Sequence, residues 1–276
     1  MGAPTPLIDG LGASTGHFPR VCPSAMIRGW TSMNREQRVT KSAEARQSYK
    51  NYTRNIDQAY GVLGSYDYFQ ELKASVLLNT MKQLTPKGES LKILDLGAGT
   101  GTLLSALPAV HFRVGVEPET ELISQMPAGQ GPCVVNASGL ALPFEDACFD
   151  LVYMACVLHH VQNKELAPML KECARIIRSG GMLAIFEHNA YNLPVVVFLK
   201  AFVKIDRDAH FLTARLVARL VRQAELRPLR PIYMCFFPRF LRIFLWLEKY
   251  MFWLPLGGQY CLISRKATGN GSEAAH

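Results

Sequence analysis

The chain lacks any stretch of the roughly 20 apolar residues needed to cross a bilayer, although 49% of its 276 residues are apolar. Its first residues lack the charged start and apolar run of a secretory signal, so secretion is not expected. No run of Lys or Arg exceeds two residues despite a net charge of +8. The basic excess therefore reads as a solvated surface rather than a nucleic-acid stripe. None of the seven cysteines stands in a C-x-x-C pair, which removes the common zinc and redox patterns and predicts reduced, mostly buried thiols in a cytoplasmic protein. No H-x-x-x-H helix spacing occurs, and adjacent histidines point in different directions, so no metal is expected.

What is present is enough apolar material for one substantial core and too little for two comfortable domains. The chain is organised around residues 91–102, where the run Leu91-Lys92-Ile93-Leu94-Asp95-Leu96 leads into Gly97-Ala98-Gly99-Thr100-Gly101. A buried parallel strand that turns sharply into a helix, with backbone bare enough for a ligand to lie against it, has this pattern. A dinucleotide fingerprint would need its third glycine at 102, where Thr102 stands. A second apolar run, His111 to Val116, ends in Glu117, and Pro118 stops it. A carboxylate at the end of the second strand can accept hydrogen bonds from both ribose hydroxyls of a nucleotide-like ligand. A pyrophosphate would be repelled by Asp95.

Together the two stretches resemble the class I S-adenosylmethionine-dependent methyltransferases, small-molecule branch. The resemblance is strong from about Ile93 to Gly181. It implies an α/β fold with a seven-stranded, mostly parallel sheet, an antiparallel last strand, helices on both faces, and S-adenosylmethionine as cofactor. Asp95, Gly97, Ala98, Gly99, Gly101, Glu117 and Pro118 are its expected cofactor contacts. The segment Ser138-Gly139-Leu140-Ala141-Leu142-Pro143-Phe144 is similar to the family's adenine-binding stretch, with Ser138 where an Asp is common. Ser138, Gly139, Leu140 and Met154 join the cofactor set. The Asn/Asp-Pro-Pro-aromatic loop of amino-methylating nucleic-acid enzymes is replaced by Met154-Ala155-Cys156-Val157, so no nucleic acid is expected as partner.

Past the fourth strand, Leu158-His159-His160-Val161 resembles a signature of small-molecule methyltransferases, and the fifth strand delivers Glu187-His188-Asn189 to the same edge. His188, His159 and His160 are the catalytic candidates, because imidazoles can take a proton near neutral pH. Tyr52, Tyr60, Glu187, Asn189 and Tyr191 are the candidate acceptor contacts. A small organic acceptor, methylated on oxygen or nitrogen, is expected.

The chain divides into a tail at 1–34, a helical lid at 35–90, the catalytic domain at 91–266 and a polar tail at 267–276. The sixth strand is expected at 230–237 and the seventh at 259–264. An apolar helix is expected between them at 238–255. Three roles are open to that helix: lid, homodimer interface, or peripheral contact with a membrane surface. Two other classes of protein compete with an enzyme of this kind. One is a non-catalytic scaffold that binds a partner through 238–255, and the other is an NAD-dependent oxidoreductase, disfavoured by Thr102 and Asp95.

Overall fold

The computed structural model describes residues 52–61, 65–126 and 132–268. The expectations for 1–34, for 35–51 and for the last eight residues lie outside them. So do the side chains of Tyr52 and Tyr60, whose backbone forms the ends of helix α1 (Tyr52–Tyr60).

Helix α2 (Tyr66–Leu84) begins two residues earlier than its apolar period suggests, because Ser65 caps it by accepting the Tyr68 N–H at 3.2 Å. Strand β1 (Lys92–Leu96) follows, buried from Ile93 onward, then the short helix α3 (Thr102–Ala106). Strand β2 (Phe112–Val116), helix α4 (Thr120–Ile123), strand β3 (Cys133–Val135) and strand β4 (Phe149–Ala155) continue the alternation. Helix α5 (Asn163–Ile176) passes directly into strand β5 (Ile177–His188). Ile177 already pairs with Phe149, and Gly180 takes a φ of +75° inside the strand. Lys266 secures this junction by donating to the carbonyls of Ala174 and Ile177 at 2.7 and 2.8 Å, which caps the helix end.

Helices α6 (Leu193–Phe202) and α7 (Ala214–Gln223) come next, the latter capped by Thr213. The expected sixth strand is two short ones, β6 (Leu226–Pro228) and β7 (Ile232–Met234), both antiparallel to β8 (Gln259–Lys266). Pro228 and Pro231 flank the gap, and proline cannot donate to a ladder. Between β7 and β8 the expected helix is shorter and broken. A 3₁₀ segment (Arg239–Phe244) has non-helical backbone at Leu241, and helix α8 (Leu245–Met251) follows it.

The eight strands form one sheet in the order β3-β2-β1-β4-β5-β8-β6, with β7 also on β8; β1 to β5 are parallel and β8 is antiparallel. One apolar face packs under α5 and α7, through residues such as Leu94, Val152, Leu170 and Val217. The other packs under α2 and α3, through Ile93, Tyr153, Leu77 and Leu104. The carboxyl ends of β1, β2, β4 and β5 therefore open on one edge, where sheets of this kind hold ligands. Among the described residues, no helix is long and apolar enough to cross a membrane.

The cysteine expectation needs one correction. Cys133 is disulfide-bonded, while Cys148, Cys156, Cys173, Cys235 and Cys261 are free. Spacing along the chain reveals close C-x-x-C pairs and not pairs made by folding, and Cys133 sits half-buried on an edge strand.

Candidate active site

The turn after β1 is built to leave backbone uncovered. Gly97, Gly99 and Gly101 all adopt positive φ, at 79°, 57° and 72°, a region that a side chain makes costly. A Cβ on Gly97 would lie 2.5 Å from Val157 Cγ2, whereas one on Gly99 would meet nothing within 4 Å. Gly97 is thus held tight against the β4 loop, and Gly99 faces open space. Glu117 ties this turn to the second strand. Its Oε2 accepts the Gly99 N–H at 2.8 Å and its Oε1 accepts the Glu119 N–H at 3.0 Å, which holds the carboxylate at the cleft wall.

Asp95 is placed by strand register. It lies opposite Tyr153 on β4, whose hydroxyl donates to Asp95 Oδ2 at 2.9 Å. Burial pushes the Asp95 carboxyl up to about 7 against that hydrogen bond, and the nearby Glu117 charge adds to the rise.

Two lobes of one cleft meet at this edge. The first lobe is open to solvent and is lined by Gly99, Glu117, Pro118, Ser138, Gly139 and Leu140, with the apolar Leu122 and Met169. Ser138 Oγ accepts the Leu140 N–H at 3.2 Å, so this serine shapes the turn it belongs to. The second lobe is lined by Tyr66, Phe69, Lys73 and Asp95 on one side and by His159, His160, His188 and Asp206 on the other. Gly97, Gly99, Ala155, Cys156, His160 and Ile205 line both lobes and mark their junction.

The histidines form a buried cluster around two acids. Glu187, fully enclosed, accepts the N–H groups of Val157 and Leu158 at 3.1 and 2.7 Å through Oε1, and its Oε2 lies 2.5 Å from His159 Nδ1. Asp206 Oδ1 lies 3.4 Å from His159 Nε2 and 3.5 Å from His160 Nε2. Burial disfavours a charge on His159, yet Glu187 and Asp206 outweigh it and hold its pKa well above the usual histidine range. Burial likewise works against the Asp206 charge, and the histidines overcome it, so this carboxyl lies low. His159, His160 and Asp206 also bring one ligand atom each within 4.8 Å, a grouping in which a metal could be held. Asp206 also attracts the two histidines as an ion pair, but the buried His159 Nε2 has no hydrogen-bond partner. His188, opposite Gln259 on β8, has that amide 3.5 Å from its Nδ1.

Most of the residues expected from sequence gather here. Asp95, Gly97, Ala98, Gly99, Glu117, Pro118, Ser138, Gly139, Leu140 and all three histidines line the cleft. Five expectations need correcting. Met154 points into the core beneath α5, because alternate residues of β4 face opposite sides of the sheet. Gly101 caps α3 and faces the Met126 side chain rather than the cleft. Asn189 is buried and spends its amide N–H groups on the carbonyls of Pro255 and Gly257, both at 2.9 Å. Tyr191 is exposed on the surface beyond it. Glu187 acts through His159 and the loop amides and does not line the cleft.

Several cleft residues were not foreseen. Lys73 is 4% exposed on the inner face of α2, and a lysine in the stripe Phe69, Lys73, Leu77 was the available signal. Asp206 lies in the short 3₁₀ turn after α6 and is 5% exposed. Cys156 adopts a φ of 59°; burial would raise its thiol, but Lys73 and His188 bring it below the usual value. Tyr66 reaches over the glycine turn to the hydroxyls of Thr100 and Thr102.

Residues 94–185, which hold the glycine turn, Glu117, Ser138 and the histidine pair, match the model of the methyltransferase domain family. The ubiquinone/menaquinone biosynthesis C-methyltransferase of Neisseria meningitidis is 27% identical over 183 residues, 60% of this chain and 67% of that protein. The mouse protein named Probable tRNA methyltransferase 9B is 30% identical over 120 residues, 43% of this chain but 26% of that protein. A methyltransferase structure from Archaeoglobus fulgidus superposes with a TM-score of 0.57 at 17% identity, covering 78% of this chain and all of that one; it supports the fold. Residues 94–185 therefore match a methyltransferase domain, the fold is that of class I methyltransferases, and the two together imply S-adenosylmethionine as methyl donor.

Proposed function

We propose that the enzyme methylates a small, apolar or aromatic organic acceptor, on oxygen or nitrogen, at the junction of the two lobes. The observation that carries this reading is the meeting of a lobe walled by Glu117 with a histidine-lined lobe at Ala155 and Cys156. S-adenosylmethionine supplies a methyl group already activated as a sulfonium, so the protein's task is to align the acceptor and exclude water. Glu117 would receive the ribose hydroxyls, Gly139 and Leu140 would flank the adenine, and Asp95 would face the methionine ammonium.

In this reading His159, held as a cation between two carboxylates, orders the loop. Proton acceptance from an acceptor hydroxyl then falls to His160 or His188, which line the second lobe. That moves the base role away from His159. The Neisseria relative's name speaks of quinone biosynthesis, which fits an apolar, aromatic acceptor. The name also speaks of C-methylation, so ring carbons belong among the acceptor atoms to be tested.

Asp95 gives a pH prediction. Its folded-state carboxyl is raised, so protein stability from this group falls as pH rises from the unfolded carboxylate range, near 4, to about 7. Donor binding has the opposite sign, because only the ionised carboxylate attracts an ammonium. Affinity for S-adenosylhomocysteine should rise about tenfold between roughly pH 6 and pH 8, and Asp95→Asn should flatten the curve. Calorimetry across that range checks it. A flat wild-type curve would remove Asp95 from the ammonium site.

The functional test is an acceptor screen with labelled S-adenosylmethionine, read by product mass. A low-molecular-weight product heavier by one methyl supports the proposal. Methylation of tRNA alone, or no turnover with intact donor binding, would replace it with a nucleic-acid or scaffold role.

A further inference from the structure

Among the described residues, most of the exposed large apolar side chains lie on two segments. Of the thirteen that are exposed among the described residues, eleven belong to 191–202 and 243–256, and the other two are Val110 and Leu229. The two segments are stitched together: Asn192 Nδ2 donates to the Leu256 carbonyl at 2.8 Å, and Asn189 holds the carbonyls on either side of it. Leu193 and Val197, one turn apart on α6, and Trp246, Phe252 and Trp253 on the joined segment are each half or more exposed. Single exposed apolar residues are ordinary, but a contiguous group of this size marks an interaction surface.

The polar groups of the region fit a membrane surface. Glu248, the one acid of 238–257, turns inward and accepts the N–H groups of Phe236 and Phe237 at 2.9 and 3.1 Å. The charges left on the outside are basic: Lys200 and Lys204 lie on and just after α6, and the Lys249 ammonium lies 4.9 Å over the Tyr250 ring. The Trp253 indole N–H is already spent on the Tyr250 carbonyl at 2.9 Å, so the ring can enter an apolar medium without an orphaned donor. Basic groups beside exposed Trp, Phe and Leu are the composition of a segment that lies in a lipid interface. Docking two copies of this face would bring the same lysines together. A bilayer with anionic headgroups complements them.

The face also adjoins the cleft. On its inner side α6 packs Leu199 and Val203 against Ile56 and Phe69, and Ile56, Phe69 and Ile205 line the second lobe. We infer that the face formed by α6 and 243–256 docks on an anionic membrane surface, and that the acceptor is an amphipathic molecule resident in that bilayer, its reactive head entering the second lobe. The choice of acceptor rests on the methyltransferase reading above; the docking does not.

The test uses the full-length protein and sedimentation with vesicles of phosphatidylcholine, alone or with roughly one third phosphatidylglycerol. A Trp30→Phe background leaves Trp246 and Trp253 as the fluorophores. The protein should pellet with the anionic vesicles, and brominated lipid should quench the emission. Trp246→Glu with Trp253→Glu, or Leu193→Glu with Val197→Glu, should each lower vesicle binding about tenfold or more, while calorimetric binding of S-adenosylhomocysteine is unchanged. Added salt should weaken the binding. Failure to pellet with either vesicle overturns the proposal. So does a stable dimer, or coverage by residues 1–51, that shields both tryptophans from a soluble quencher. Loss of S-adenosylhomocysteine binding in the unaltered protein would count against the methyltransferase reading alone.

Discussion

Gly99→Arg abolishes binding of S-adenosylmethionine and leaves the protein folded. The position has a φ of +57° and no atom within 4 Å of the place a Cβ would take. The added side chain therefore meets no protein wall and occupies the cradle. The cost to folding is the left-handed backbone alone, about 1–2 kcal/mol, or a fall of a few degrees in Tm for a chain of this size. Gly97→Ala differs, because its methyl would lie 2.5 Å from Val157 and would act on folding as well. Glu117→Ala completes the test from the other wall. It removes two charge-assisted hydrogen bonds that the ribose would make, worth about 1.5–3 kcal/mol each, so affinity should fall on the order of 10²–10⁴-fold. Thermal unfolding and calorimetry on the three variants separate the two effects. Micromolar affinity retained by Gly99→Arg would place the donor elsewhere.

The second large effect is on stability. Glu187→Ala removes the acceptor of Val157 N–H, Leu158 N–H and His159 Nδ1 at a site with no solvent access. Breaking a buried pair of this kind costs about 3–5 kcal/mol, or on the order of 10 °C in Tm. The pH dependence identifies the cause. His159 is raised in the folded state by Glu187 and Asp206, after its burial is overcome. The stabilisation is therefore complete below the unfolded histidine value of about 6.5 and is lost as pH rises through the folded one. The deficit of Glu187→Ala should be larger near pH 6 than near pH 9 in urea unfolding. Equal deficits at both would mean that His159 is not held as a cation. Glu187→Gln keeps one acceptor oxygen for the loop amides and should fall between the two proteins.

The parts of the fold that could be read in advance are those where local pattern and tertiary position agree. The strand into Gly97-Ala98-Gly99, the acid closing β2 and the histidines after β4 occupy the ends of buried parallel strands, and period, glycine and register all point there. The broken sixth strand and the split 238–255 helix were less legible. Their apolar periods were visible, but Pro231 and the turn at Leu241 decide the outcome by removing ladder and helix hydrogen bonds locally. Within the site, Lys73 and Asp206 were hidden because each lies on an element read for its packing, and only folding brings them to the histidines. Asn189 shows the converse. A polar residue at the right sheet edge was expected to meet an acceptor, and it anchors 255–257 instead. An edge position tells which residues can reach a cleft. Hydrogen-bond partners tell which of them are free to.

The most direct test of the account is a titration of the purified protein with S-adenosylhomocysteine and, separately, with NAD. The account predicts one molecule of S-adenosylhomocysteine bound per chain, lost in Gly99→Arg, and no heat from NAD. Saturable binding of NAD, with none of the sulfur nucleoside, would contradict it.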